Sequence, residues 1–440
     1  MKRPLVLLAG LPFLVWAVFA LPDVLASARN AWDWRRALIL LSGTLALWWM
    51  SAGMLLAARP AWLAQRFGGL DRLYRLHKDI GIGAGLIVFT HWMLEWLPKN
   101  LAKAGFIERP VRGPRPPRGP ADQWVDLAKD VGEWAGYILL ALVVIALVKR
   151  IPYRYFRWVH KLFPLVFIAG AYHGLMLMPA SFWQQPLGWL TAGMAALGVV
   201  PAWLSLLGRI GTRRQYVAHI ESLTRHPDGV LEVVCRPTAW PGHRAGQHVL
   251  AHFGDTAEGA HPFTMASAWN PADGRLTLAI KALGDYTRSL PGRLDIGHPV
   301  RLEGPYGSFT FDSPALTGQH QVWVAGGIGI TPFLARLQDL AARGGTPGPV
   351  DFFYSTADNP ASGYAAELPA LCSAAGVRLH RRHTDRDGPL PAEQVRACLG
   401  TGSSVWFCGP AAWGDSLARA LGAGAGPAPV AFHRELFEFR

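Results

Sequence analysis

Cysteine is scarce in this sequence. Its 440 residues include four, Cys235, Cys372, Cys398 and Cys408, and no two are close together. A plant-type 2Fe–2S centre needs a tight cysteine cluster, so no ferredoxin module is read here. A disulfide framework is equally unsupported. Acidic residues are also few: 30 Asp and Glu against 43 Lys and Arg leave a formal net charge of +13. A basic chain suggests nucleic acid, but the distribution excludes it. Residues 1–214 hold 25 Lys and Arg against 10 Asp and Glu, a net of +15, whereas residues 215–440 hold 18 against 20, a net of −2. The basic excess lies beside apolar segments, as in the loops of a membrane protein.

What is abundant is apolar surface. Half of the chain is hydrophobic (51%) and it carries 19 Trp. Its length suggests two to three domains. Six apolar stretches, at residues 4–22, 37–57, 79–97, 133–149, 158–178 and 187–207, are each near the ~20 residues that cross ~30 Å of hydrocarbon as a helix. Lys2 and Arg3, an apolar run and Ala26-Ser27-Ala28 also have the outline of a signal peptide. The run is longer than a usual signal core, so it is read as an uncleaved first span. Basic loops set the orientation. Arg59, Arg66, Arg72, Arg75 and Lys78 lie between spans two and three, and Lys149, Arg150, Arg154, Arg157 and Lys161 between spans four and five. Arg209, Arg213 and Arg214 follow the last span. These sides, with Lys2 and Arg3, are expected in the cytoplasm. The loop 98–131 dissents with Arg109, Arg112, Arg115 and Arg118, but it is long and carries Glu108, Asp122, Asp126 and Asp130.

The first 210 residues contain four histidines: His77 and His91 on span three, His160 and His173 on span five. Ionisable groups inside membrane helices are costly and usually functional. One such histidine is most simply a hydrogen bond to a neighbouring helix. Two pairs on two helices point further. Spacings of fourteen and thirteen residues correspond to ~21 and ~20 Å along a helix axis. Both helices start on the same side, so His77 and His160 share one depth and His91 and His173 another. Neutral imidazole is a good axial ligand for haem iron, and two layers of facing imidazoles read as two bis-histidine haems. Fourteen steps keep His77 and His91 on one face. Thirteen steps end ~140° short of whole turns on an ideal helix. Pro164, between His160 and His173, is expected to kink span five and restore the aim. Arg75, Lys78, Arg157 and Lys161 near the inner pair suit either haem propionates or ordinary anchoring at the cytoplasmic interface.

From about residue 212 the pattern changes to short alternating segments, Tyr216–Leu223, Val230–Arg236, Leu276–Ala282 and Val300–Glu303, which suggest a small antiparallel barrel. It contains His261-Pro262-Phe263-Thr264-Met265-Ala266-Ser267, then Lys281 to Thr287, then Glu303-Gly304-Pro305-Tyr306-Gly307-Ser308. Together these offer an aromatic-bearing strand, a lysine and hydroxyls for an anionic cofactor, and a glycine turn. A last domain opens with an apolar strand, Gln321–Ala325, then Gly326-Gly327-Ile328-Gly329-Ile330-Thr331-Pro332 and a helix from about Phe333 to Arg343. Strand, glycine turn and helix start make a phosphate site. Further strands at Val350–Tyr354 and Val405–Phe407 alternate with helices near 361–375 and 411–421, a doubly wound α/β pattern. Cys408-Gly409-Pro410 follows the last of these strands, at the sheet edge where such folds bind ligands. No catalytic triad and no metal site beyond haem is read, and His219, His380 and His433 are expected to be surface or packing residues.

These residues resemble the NADPH oxidase and ferric reductase superfamily over nearly the whole chain. The resemblance implies a multi-domain protein. Residues 1–210 would form a six-helix transmembrane haem domain, 211–315 an antiparallel β-barrel FAD domain, and 316–440 an α/β doubly wound NAD(P)H domain. It implies FAD, two b-type haems, and NADPH or NADH as electron donor. His77 with His160 would bind the inner haem, and His91 with His173 the outer. His261, Pro262, Phe263, Thr264 and Ser267 fall in the flavin segment, and Lys281 and Thr287 in the FAD-phosphate segment. Gly326, Gly327, Gly329, Thr331 and Pro332 match the dinucleotide loop. Cys408, Gly409 and Pro410 match the turn beside the nicotinamide. A C-terminal aromatic would cover the flavin ring, as Phe439 or Phe437, the alternative being a phenylalanine that packs into the core. The implied setting is a bacterial-type plasma membrane, with the N-terminus and both nucleotide domains cytoplasmic. The implied partners are lipid and an external acceptor, O2 or a ferric chelate, and no obligate protein partner is required. Superoxide production is the first expectation, ferric-chelate reduction the second, and a haem sensor or electron-relay subunit serving a partner the third. NADPH-selective relatives place an Arg after the second dinucleotide strand. Here Tyr354-Ser355-Thr356-Ala357-Asp358 lacks it, with Arg381 or Arg382 as candidate substitutes.

Overall fold

A computed structural model describes residues 2–67, 69–109, 119–120, 122–148, 150–151, 153–254, 259–311, 318–357, 363–422 and 431–435. Arg112, Arg115, Arg118, Lys149, Asp358, Phe437 and Phe439 lie outside them. The chain divides into two compact units: Met1–Leu63 with Arg72–Ile210, and Ala64–Asp71 with Gly211–Arg440.

The first unit is helical. Ala31–Ala57, Arg72–Lys103, Asp122–Leu147 and Pro186–Leu206 are long and apolar enough to cross a membrane, and Leu5–Phe19 with Leu21–Ser27, bent by 47°, qualify together as a fifth. The Ala31–Ala57 helix starts before its apolar run because Asn30 caps it. The Asn30 side chain accepts from the backbone N–H groups of Trp32 and Asp33, and Asp33 accepts from the Asn30 N–H in return. Such a reciprocal cap satisfies donors that a helix start leaves open. The added polar turn carries Arg35, whose guanidinium pairs with Glu95 and donates to the Leu94 carbonyl at 2.7 Å.

The stretch at 158–178 is two helices, Tyr153–His160 and Phe163–Met176. The i to i−3 bonds Lys161 N to Trp158 O and Leu162 N to Val159 O tighten the chain between them. Pro164 has no N–H to offer the His160 carbonyl, and its ring would clash there. Helices pack closely where a side chain is missing. A Cβ on Gly198 would meet Phe167 Cζ at 2.5 Å and Ser51 Cα at 2.8 Å. Such small residues let membrane helices approach. Large apolar side chains such as Leu86, Trp134, Val144, Trp189 and Val200 point outward. Water would penalise that, and lipid does not.

Among the described residues the second unit holds two sheets. The first is antiparallel and made of β1 (Gln215–Arg225), β2 (Val230–Pro237), β3 (His248–His252), β4 (His261–Thr264), β5 (Leu276–Lys281) and β6 (Pro299–Tyr306). Their order is β4-β3-β6-β1-β2-β5, and a bridge between Met265 and Leu278 joins the two edges into a near-barrel. Ile220, Val233, Val249, Leu278 and Val300 fill it. The second sheet is parallel: β7 (Gln321–Gly326), β8 (Val350–Thr356), β9 (Arg378–His383), β10 (Ser404–Cys408) and β11 (Ala431–Glu435), in the order β11-β10-β7-β8-β9. Trp323, Phe352 and Trp406 pack on one face and Val324, Phe353 and Phe407 on the other. Burial on both faces explains the unbroken apolar runs in its strands. The strand order reverses between β7 and β10, which opens a crevice at their carboxyl ends.

Candidate functional site

In the helical unit the four histidines meet as two pairs. The rings of His77 and His160 are 6.0 Å apart, centre to centre, and those of His91 and His173 are 6.3 Å apart. Two imidazoles sharing one metal ion at about 2.0–2.1 Å per nitrogen, the value for zinc, put their ring centres roughly 6 Å apart. The pairs therefore fit an ion between them. Hydrogen bonds fix the rings. His77 Nδ1 donates to the Gly53 carbonyl (3.0 Å), His91 Nδ1 to that of Ile39 (3.1 Å) and His173 Nδ1 to that of Ala128 (2.8 Å). Ser42 Oγ lies 3.0 Å from His91 Nδ1 as well. A proton on Nδ1 leaves the Nε2 lone pair for a metal, and such backbone partners orient metal-binding histidines. His160 differs. Its Nδ1 is buried with no hydrogen-bond partner, and its ring sits between Phe156 and Phe163.

Two glycines make room for this arrangement. A Cβ on Gly132 would lie 1.9 Å from His173 Nδ1, and one on Gly43 would lie 3.3 Å from His91 Cε1. The histidines were legible in the sequence, whereas these glycines and the carbonyl partners were not, because both come from neighbouring helices.

In the near-barrel, β4 carries His261, Pro262, Phe263 and Thr264. The His261 ring stacks on Tyr286 at 3.8 Å, and the Thr264 hydroxyl is buried without a hydrogen-bond partner. An orphaned hydroxyl beside an aromatic strand fits a polar, planar ligand. Ser267 Oγ accepts from the Thr277 N–H at 3.0 Å and keeps its own proton to donate. Thr287 Oγ1 is committed locally: it accepts from the Gly284 N–H (3.0 Å) and donates to the Gly284 carbonyl (3.2 Å). Lys281 ends β5, six residues before Thr287.

The dinucleotide residues come together at the crevice. Gly326 ends β7, Gly327 takes the left-handed φ of +52° that favours glycine, and Thr331 and Pro332 start the helix Thr331–Ala342. A Cβ on Gly329 would meet the Cys408 carbonyl oxygen at 2.3 Å, and one on Gly326 would meet Pro410 Cδ at 3.0 Å. The glycine loop and the Cys408-Gly409-Pro410 turn are thus in direct contact, with Cys408 paired to Ala325 across β10 and β7. Burial pushes the Cys408 thiol well up, and nearby Glu435 adds to this. Both effects disfavour the thiolate form. Glu435 pairs with Cys408 in register and lies 3.2 Å from His248 of β3, both side chains being buried. Neither Glu435 nor His248 stood out in the sequence, because their contact joins residues 187 positions apart.

The sequence matches the family described as ferric reductase like transmembrane component over residues 42–171, and an FAD-binding domain family over residues 217–310. Together these cover about half of the chain. It is 22% identical over 311 residues to respiratory burst oxidase homolog protein B of Solanum tuberosum, covering 59% of this chain and 34% of that one. To NADPH oxidase 3 of Homo sapiens it is 24% identical over 352 residues, covering 66% and 60%. To ferric reduction oxidase 2 of Arabidopsis thaliana it is 37% identical over 87 residues, covering 19% and 12%. The chain thus spans less than two thirds of the length of each of these relatives. A ferric-reductase membrane region followed by an FAD-binding domain, in that order, places the chain in the NADPH oxidase and ferric reductase superfamily of oxidoreductases.

Proposed function

We propose that this chain moves electrons from cytoplasmic NAD(P)H, through FAD and two bis-histidine haems, to an acceptor on the far side of the membrane, with dioxygen giving superoxide as the first reading. The observation that carries it is the pair of facing imidazole pairs, 6.0 and 6.3 Å apart between ring centres. Four described helices and the bent first pair give up to five spans, and the reading takes the broken Tyr153–His160 and Phe163–Met176 pair as a sixth. Basic residues on the loops after spans two, four and six support a cytoplasmic side for both nucleotide sites.

FAD, when bound, would supply the conversion from two-electron to one-electron chemistry: it can accept one hydride and release its two electrons singly, as haem irons require. The protein's own part is binding and aim. The start of Thr331–Ala342 and its glycine loop hold a pyrophosphate against free N–H groups. Neutral Cys408, buried where the loop meets β10, packs beside the nicotinamide without reacting. The carbonyls of Gly53, Ile39 and Ala128 hold three imidazoles in the tautomer that presents Nε2.

Selectivity between NADPH and NADH is expected to be weak. Arg381 and Arg382 pair with Tyr354 and Ser355 at the end of β8, the right edge for a 2′-phosphate. Arg382 is already engaged, however, donating to the carbonyls of Gly388 (2.8 Å) and Asp387. Steady-state kinetics with the two cofactors should differ by less than about a hundredfold, ~2.7 kcal/mol, and a larger ratio overturns this.

Ferric-chelate reduction is the second reading, since a ferric reduction oxidase is among the chain's relatives. The experiment uses haem-loaded protein in detergent with NADPH and cytochrome c in air. If superoxide dismutase abolishes most cytochrome c reduction, dioxygen is the acceptor. If it abolishes little, and an anaerobic ferric chelate is reduced quickly, the protein is a metalloreductase. No NAD(P)H oxidation by the chain alone would make it a relay subunit.

A further inference from the structure

The far edge of the parallel sheet carries a second cluster of ligating side chains. Asp351 is at the start of β8 with only 3% of its surface exposed. His380 Nε2 on β9 donates to its Oδ1 at 2.7 Å, and His320 Nε2, just before β7, donates to its Oδ2 at 2.8 Å. Cys398, next after the helix Ala392–Ala397, completes the group, and ligand atoms of Asp351, His380 and Cys398 lie within 4.8 Å of one another. The His380 ring is stacked on Phe353 at 4.4 Å and 13°, which fixes its plane. A cavity of about 570 Å³ opens beside the cluster, lined by His320, Asp351, Ser373, Gly376, Val377 and Arg378.

We propose that Asp351, His380 and Cys398 bind a zinc-class divalent ion at the leading ends of β8 and β9, with a water as fourth ligand and His320 holding Asp351 Oδ2 from the start of β7. One sulfur, one imidazole nitrogen and one carboxylate oxygen form a mixed set that suits zinc among the available divalent ions. Tetrahedral ligands at about 2.0–2.3 Å from such an ion lie roughly 3.4–3.6 Å apart. The His380–Asp351 hydrogen bond therefore opens by under about 1 Å, and the Cys398 sulfur closes by about 1 Å. The site is buried on the sheet side and reached through the cavity, so it has an entry path.

Binding balances as proton displacement. The Cys398 thiol gives its proton to solvent as the sulfur–metal bond forms. His380 passes from the Nε2–H to the Nδ1–H tautomer, exchanging one proton with solvent, while His320 keeps its Nε2–H on Asp351 Oδ2. Arg378 Nη1, 3.1 Å from Asp351 Oδ1, is the cation that holds this place otherwise. Its side chain is 72% exposed and free to swing into water. Two anionic ligands then neutralise the dication, with no charge left buried. The cluster sits at the amino ends of the strands, opposite the crevice formed by Gly326 and Cys408, so it acts on domain stability and not on hydride transfer. It does not rest on the electron-transfer reading.

The test uses the full chain loaded with haem and FAD, so that the membrane histidines are occupied. The protein is stripped with EDTA, exposed to ZnCl2, passed through a desalting column and assayed for zinc, haem and FAD. The wild type should retain one zinc per chain, and Cys398→Ser and His380→Gln should each retain at least tenfold less at limiting zinc, with haem and FAD contents unchanged. Cobalt(II) in place of zinc should give a thiolate charge-transfer band in the wild type that Cys398→Ser abolishes. No zinc in the wild type, or equal zinc in the wild type and both variants, overturns the proposal. If one variant loses FAD, and so has failed to fold, the other and the cobalt band of the wild type decide.

Discussion

His173 is held from two directions by one neighbouring helix. Ala128 offers its carbonyl to Nδ1 at 2.8 Å, and Gly132, one turn further along Asp122–Leu147, leaves the space the ring occupies. A methyl group at Gly132 would sit 1.9 Å from Nδ1, far inside van der Waals contact. Overpacking of this kind costs about 1–3 kcal/mol where the backbone can give, and the cheaper escape is for the imidazole to turn away. Gly132→Ala is therefore expected to lose the haem proposed for the His91–His173 pair, roughly halving haem per FAD in purified protein. Gly136 lies one turn on, and a Cβ there meets nothing within 4 Å. Gly136→Ala should keep the wild-type ratio, which separates the steric effect from the general effect of Ala on the helix. The histidines could be read from the sequence because four polar rings in apolar helices are conspicuous. Gly132 could not, because a glycine's purpose lies in what it leaves empty. Asp351 escaped notice for a related reason: His320, His380 and Cys398 are 31, 29 and 47 residues away from it, and only the strand register and a following helix bring them together.

At the scale of elements, local chemistry was the most legible. Pro164 announces the end of the helix at His160, and the glycine turn announces the β7 crevice, because each acts within a few residues. The Asn30 cap of Ala31–Ala57 is also local, yet the apolar run alone suggested a later start at residue 37. The edge strands β9 and β11 went unread: Arg378–His383 is too polar to look like a strand, and register with β8 and β10 creates both. The break at Pro164 has a consequence for haem. An unbroken helix would leave His160 and His173 ~140° out of line, whereas the separate helices present each ring to its partner on Leu70–Lys103. Pro164→Ala removes a penalty of about 3 kcal/mol against continuing the helix. A continuous helix then turns His160 away from His77 while Phe163–Met176 stays packed through Phe167 and Ala171. The expected result is loss of the haem proposed for His77–His160 with the other proposed haem retained, visible as half the haem and a single reductive transition in a redox titration. Full haem content in Pro164→Ala would show that the break is held by other contacts.

For the whole molecule, the division into two compact units makes a separable prediction. The residues proposed to bind flavin and nucleotide, from His261 to Pro410, all belong to the second unit, and the four histidines all belong to the first. Their chemistry should separate as cleanly as their packing. His91→Leu removes one axial nitrogen but keeps an apolar side chain of similar bulk among helices that already tolerate apolar surface. It also removes the hydrogen bond to the Ile39 carbonyl, which an Ala31–Ala57 helix bond still satisfies. The second unit should then fold and bind FAD as before, so NAD(P)H should bleach the flavin absorbance at the wild-type rate under anaerobic stopped flow. The haem of the His77–His160 pair should also be reduced, because its ligands are untouched. Reduction of an external acceptor should fall at least a hundredfold, since the last carrier before it is gone. Flavin bleaching that slows in parallel would mean that the two units are coupled in folding. Acceptor reduction at the wild-type rate would mean that electrons leave from the flavin or the first haem, and that the His91–His173 pair has another purpose.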